Sequence, residues 1–203
     1  MPPLVRRTIS DRAQLKALVS PVRQELIDLL ARTGPASAAE LGKLIRRPAD
    51  GLYYHLRALQ RAGLVSSAGR RVRSGRHEAL FHSTHREPAL RHDPSPGGNS
   101  PAVTAIVATM LRLGIRDFRK ASASSHIRTQ GPRRELWALR VTGWLSPPQL
   151  SDINRRMRGL RDAVAGRRSK GALYAVTILL TPLGHRLRKK QRRPRMARRG
   201  DTR

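Results

Sequence analysis

The sequence predicts an α+β fold: a mainly helical N-terminal domain closed by a β-hairpin, then a small C-terminal α/β domain. Three observations carry that expectation. Apolar residues between positions 15 and 62 recur at helical spacing, interrupted by Ser20-Pro21, Gly34-Pro35 and Arg46-Arg47-Pro48. From Leu64 onward the period becomes that of strands, and two such runs flank a basic, glycine-bounded loop. Past a Pro/Gly-rich stretch, helix and strand patterns resume in a separate order.

Residues 1–9 read as a flexible arm and 10–86 as the first domain. Leu15, Leu18 and Val19 suggest a short first helix after Ser10. Ser20-Pro21 restarts the chain, with Ser as N-cap and Pro at the first helical position. Val22, Leu26, Ile27, Leu29 and Leu30 line that second helix, which Gly34 caps and Pro35 stops. Ser37 and Glu40 make a capping box, each side chain answering an orphan amide of the other, for a short helix ending near Leu44-Ile45. Arg46-Arg47 turn the chain, and Pro48 opens a helix that holds Leu52, Leu56 and Leu59 inward until Gly63. Residues 64–67 and 79–82 read as the two strands of a hairpin around the basic loop 69–76.

Residues 87–101 form a linker by composition, holding Pro88, Pro94, Pro96, Gly97, Gly98 and Pro101. The helix expected over 102–121 carries Val103, Ile106, Val107 and Met110 on one face, either as core or as a dimer seam. Between 135 and 185 the pattern is β-α-β. A strand over 136–145 places Trp137, Leu139 and Val141 on one side; a helix steps through Leu150, Ile153, Met157, Leu160 and Val164; an apolar strand spans 172–180. Residues 186–203 carry ten Lys/Arg and one Asp and read as a disordered basic tail.

Charge narrows the function. In 203 residues, 42 Lys+Arg face 13 Asp+Glu, a formal +29 that repels itself unless a polyanion is near. Only six of the 42 are lysine, and the arginine fork suits phosphate and guanine edges. Cysteine is absent, which excludes disulfides, thiolate metal sites and thiol redox sensing. No run approaches the ~18 apolar residues of a membrane span, and the first residues lack the apolar core of a secretory signal, so a cytoplasmic, nucleoid-associated protein is expected. Scarce acidic residues, no cysteine and no phosphate-cradling glycine loop argue against an enzyme and imply no cofactor. His77 and His82 fall on opposite hairpin faces by parity, which argues against a shared metal.

Two helices separated by a three-residue turn and followed by a hairpin match the requirements of a winged helix-turn-helix. The second helix of such a motif fits the major groove while the first crosses the backbone. With the leucine stripe inward, Ala49, Asp50, Tyr53, Tyr54 and Arg57 are left for base edges and phosphate, with Ser37, Arg46 and Arg47 beside them. Arg70, Arg71, Arg73 and Arg76 would straddle the backbone or the adjacent minor groove. Double-stranded DNA is the implied partner.

Two stretches also carry a resemblance. Leu18 to Leu30 (LVSPVRQELIDLL) is similar to the opening helix of ArsR-type winged-helix regulators, and Tyr54 to Val65 (YHLRALQRAGLV) resembles the end of their recognition helix. The resemblance covers about residues 10–85 and implies a homodimeric repressor reading a palindrome, with terminal helices packed across a two-fold axis. Leu15, Leu18, Val103, Ile106, Val107 and Met110 are the corresponding dimerisation candidates. The metal-sensing cysteine helix is missing, so the chain is closer to the longer, cysteine-free members with an appended domain and an unidentified effector. The competing readings are a nucleoid- or RNA-binding protein acting by charge and a winged-helix protein-interaction module.

Overall fold

A computed structural model of the chain describes residues 8–73, 75–85, 89–165 and 171–184. It opens with a two-residue strand, β1 (Thr8–Ile9), whose Ile9 is fully buried. The expected flexible arm is thereby corrected at its end; its first seven residues, like the tail 186–203, lie outside the described residues. Helix α1 (Arg12–Leu18) is capped by Asp11, its carboxylate accepting from the amides of Ala13 and Gln14. Helix α2 (Pro21–Thr33) starts at the expected proline and ends at Gly34, whose φ of 74° only glycine adopts without strain.

A second short strand, β2 (Ala36–Ser37), leads into α3 (Ala38–Ile45), and the capping box of Ser37 and Glu40 is formed residue for residue. After the turn comes α4 (Ala49–Arg61), whose Leu52, Leu56 and Leu59 are buried. Each such leucine contributes roughly 1.5–3 kcal/mol by leaving water. Strands β3 (Val65–Arg73) and β4 (Arg76–Ser83) form an antiparallel hairpin, and β2 joins its other edge to give the order β2-β4-β3. The basic stretch expected to loop is mostly strand. Arg73 pairs with Arg76 across two residues, of which Gly75 has φ 74°.

Strand β5 (Ala89–Leu90) pairs in parallel with β1. The predicted linker is therefore partly ordered: Asn99 Nδ2 donates to the Arg91 carbonyl, and the Asp93 amide donates to Asn99 Oδ1. Helix α5 (Ser100–Ser122) then lies across α1 and α2. Three polar clamps hold it. Buried Gln24 donates to the carbonyls of Leu18 and Ile106 at 2.7 and 3.2 Å, Thr109 donates to the Val19 carbonyl at 3.1 Å, and Arg116 pairs with Glu25 at 2.7 Å.

The predicted C-terminal β-α-β unit requires correction. Its helix, α6 (Pro147–Val164), is present with a capping box of Ser146 and Gln149. Neither flanking segment forms a strand: no residue of 136–145 or 172–183 joins a backbone ladder among the described residues. The reason is visible in their side chains. Trp137, Leu139 and Val141 stand in solvent, as do Val176 and Ile178, so among the described residues nothing covers the faces that a sheet would bury.

Candidate nucleic-acid interface

The turn between α3 and α4 depends on close backbone approach. Arg46 takes the left-handed conformation (φ 55°, ψ 50°), and the amide of Arg47 donates to the Gly42 carbonyl at 2.9 Å. Gly42 sits where a methyl group would lie 2.5 Å from the Arg47 carbonyl oxygen, so only glycine lets the chain reverse this tightly. The turn leaves Arg46 and Arg47 exposed beside the start of α4.

On α4 the side opposite the leucines forms an open concave strip lined by Asp50, Tyr53, Tyr54, Arg57, Gln60 and Arg61. Tyr54 and Arg57 are exposed, Tyr54 at 67 %. Asp50 lies in the first turn, where its charge complements the helix dipole. Tyr53 is only partly free: its ring packs edge-on to Phe81 of β4 with centroids 6.3 Å apart, which braces the helix on the hairpin. Two candidates are corrected. Ala49 packs against the core, and Ser37 is 2 % exposed with its hydroxyl engaged by the Glu40 amide.

The hairpin arginines divide by strand parity. Arg71 and Arg73 share one face and reach Glu40 of α3 at 2.8 and 3.3 Å, with Arg71 also 3.2 Å from Glu78, its cross-strand neighbour. Glu40 is thus both capping residue and tether for the wing. Its bond to the Ser37 amide, and then the two guanidinium groups, hold its carboxyl below the usual range. Arg70, of the opposite parity, is exposed on the other face. The side chain of Arg76 lies outside the described residues. Glu40 was read from the sequence only as a cap; its reach to residues 31 and 33 positions later leaves no local signal.

His55 projects from α4 toward the protein. Its Nδ1 is buried with no partner among the described residues, and burial, then the charges of Arg23 and Arg47, push its pKa down. On the hairpin, His82 is bonded to Ser66 Oγ at 3.0 Å, and beyond it His85 Nδ1 is 2.8 Å from Thr84 Oγ1. Among the described residues no three His, Asp or Glu side chains converge to hold a metal ion, and no helix is long and apolar enough to cross a membrane.

The dimerisation candidates are also redistributed. Leu15, Leu18 and Ile106 are at most 5 % exposed in the chain's own core, and Val103 packs against it. Leu15, Leu18 and Ile106 cannot also meet a second copy. Val107 and Met110 are half-buried, whereas Leu111, Ile115 and Phe118, further along α5, are exposed.

No curated protein matches the chain. A family described as a helix-turn-helix domain matches residues 18–68, from the end of α1 through the start of the hairpin. The chain carries a helix-turn-helix domain, the fold of a DNA-binding module, in an α+β arrangement with a small antiparallel sheet.

Proposed function

We propose that this protein is a sequence-specific transcriptional regulator of the ArsR type, a homodimeric repressor that reads a palindromic operator. The observation that carries the reading is the open side of α4: Asp50, Tyr54 and Arg57 face outward from a helix whose opposite stripe is sealed in the core. In this reading Arg57 forks onto guanine, Asp50 accepts from a cytosine amine, and Tyr54 reaches phosphate or a thymine methyl. Arg46, Arg47 and Arg70 hold the backbone, and the wing supports them on the flank. Two copies set their recognition helices one helical turn of DNA apart, about 34–36 Å.

The protein acts here by binding, without catalysis and without a cofactor, on the nucleoid in the cytoplasm. With no cysteine, a thiolate metal signal is ruled out, so derepression comes from another effector or a partner protein acting through the C-terminal half. A second reading, DNA or RNA coating by charge, draws support from the net charge of +29.

Selection of bound fragments from genomic DNA, followed by gel shift at rising salt, separates the two. Both readings expect a steep loss of affinity, roughly 10³–10⁵ between 50 and 200 mM salt for 6–10 phosphate contacts. Only the regulator yields one palindrome that survives competitor DNA. Arg57→Ala is expected to weaken that site by about 1–3 kcal/mol while leaving random DNA nearly unchanged, and Arg70→Ala to weaken all DNA alike. Equal losses on both DNAs from Arg57→Ala refute the assignment.

A further inference from the structure

We propose that segments 136–145 and 172–180 are strands completed by a second copy of the chain, with the two 172–180 strands paired antiparallel at the two-fold axis and the 136–145 strands outside them. The inference rests on the homodimer proposed above and gives that dimer a seam formed by strands beside α5, where Thr177 lies close to Gly114.

The sequences of the two segments differ in a way that fixes their places. In 136–145, apolar Trp137, Leu139 and Val141 alternate with Ala138, Arg140 and Thr142, the pattern of a strand with one wet face. The segment 172–180, ALYAVTILL, is apolar on both parities, as in a central strand flanked on both edges. Among the described residues of the C-terminal half, 136–145 is the other strand-like segment, and that ladder is not formed. The two segments are nevertheless drawn together, since the Tyr174 hydroxyl donates to Glu135 at 2.7 Å. The 18-residue helix α6 joins them, long enough for a crossover between parallel strands.

The uncovered area matches a dimer. Trp137 and Trp144 are 64 % and 62 % exposed, and Leu139 and Val141 are 77 % and 76 % exposed. Together with the exposed residues of 173–183, the surface left wet is on the order of 1,000 Å², against about 800 Å² per partner in a standard interface. Left open, an apolar edge of this kind would aggregate; a two-fold pairing closes it.

Charge identifies the occupant as a second copy. In a chain with 42 Lys+Arg, residues 171–184 contain no charged residue at all. Across a two-fold axis the segment faces itself, and the residue on the axis meets its own copy, so a cation there would face a like charge. A different protein binding so basic a chain would be recognised through complementary charge, and this segment offers none.

The test uses the full chain in sedimentation equilibrium. The wild type is expected to be a dimer, and Ile178→Lys to raise its dissociation constant on the order of 100-fold. Circular dichroism and the thermal transition of the N-terminal helices should be unchanged. A monomeric wild type overturns both the homodimer and this seam. A dimer that survives Ile178→Lys but is lost with Ile115→Lys keeps the homodimer and overturns the seam. Because the chain has no cysteine, single substitutions such as Val176→Cys, Thr177→Cys and Ile178→Cys give an independent readout. A short bismaleimide should link copies at the residues nearest the axis; absence of linkage from 174 to 180 overturns the pairing even if Ile178→Lys misfolds.

Discussion

Gly42→Ala tests the helix-turn-helix geometry against ordinary helix chemistry. Gly42 lies inside α3, where propensity alone says that alanine should stabilise by about 0.8–1 kcal/mol. The added methyl, however, would stand 2.5 Å from the Arg47 carbonyl oxygen, with the Ala49 amide nitrogen and Cα at 3.6 and 3.7 Å. Ordinary contact is nearly an ångström farther out, and the obstacle is backbone, so relief requires α4 to move away from α3. Overpacking of this kind costs about 1–3 kcal/mol. With the propensity gain set against it, the net loss is about 0–2 kcal/mol, a fall in Tm of up to about 15 °C for a domain of this size where propensity alone would raise it. Gly51→Ala is the internal control. That glycine lies in α4 with nothing within 4 Å of its added methyl, so the same substitution there should raise Tm by a few degrees. Paired thermal melts read both signs at once. A Gly42→Ala protein stabilised as much as the Gly51→Ala control refutes the claim that close approach at this glycine sets the turn.

Three further outcomes follow from the charges around the motif. Glu40→Gln keeps a capping-box residue but removes the ion pairs to Arg71 and Arg73. The wing loses its tether, and urea melts should record a small destabilisation near neutral pH. Because the folded Glu40 carboxyl titrates lower than in the unfolded chain, its contribution is present above the ordinary carboxylate pKa and is lost as pH falls; Glu40→Gln should flatten that acid limb, and an unchanged limb refutes the tether. His55 has the opposite sense of charge but the same sense of pH. Its folded pKa is depressed, so the unfolded chain takes up a proton first and stability falls as pH drops below about 6.5. His55→Gln should remove that decline, read from melts between pH 7.5 and 5.

Local chemistry made most of the N-terminal domain legible. The capping box at Ser37 and Glu40, the proline start of α2 and the glycine stop at Gly34 each need only neighbours within four residues, and each appears where the sequence puts it. The leucine stripe of α4 was readable because its period matches the helix. What stayed hidden depends on distant partners. Strands β1, β2 and β5 are two residues long and have no period to detect. An apolar stripe does not say what it meets, which is why Leu15, Leu18 and Ile106 read as a seam yet belong to the core. The wing arginines read as free cations because their carboxylate, Glu40, lies one helix-turn-helix away. At the C-terminal end the strand propensity of 136–145 and 172–180 was legible, but propensity alone does not supply a ladder.

The clamps on α5 bear on how a signal would reach the DNA. Gln24, Thr109 and Arg116 fix α5 to α1 and α2, and α2 packs in turn on α4. Among these contacts α5 cannot pivot without taking the Ile106 carbonyl from buried Gln24, whose amide would keep only the Leu18 acceptor on α1, at a cost of about 1–3 kcal/mol. In the proposed dimer, a rearrangement at the C-terminal seam would be carried by α5 as a rigid body and would appear as a change in the distance between recognition helices, not within one half-site. Gln24→Leu loosens that lever. It should leave binding to a single half-site within a few-fold of wild type and weaken binding to the palindrome, where spacing matters. Equal weakening on half-site and palindrome would show that Gln24 supports the fold of the domain alone.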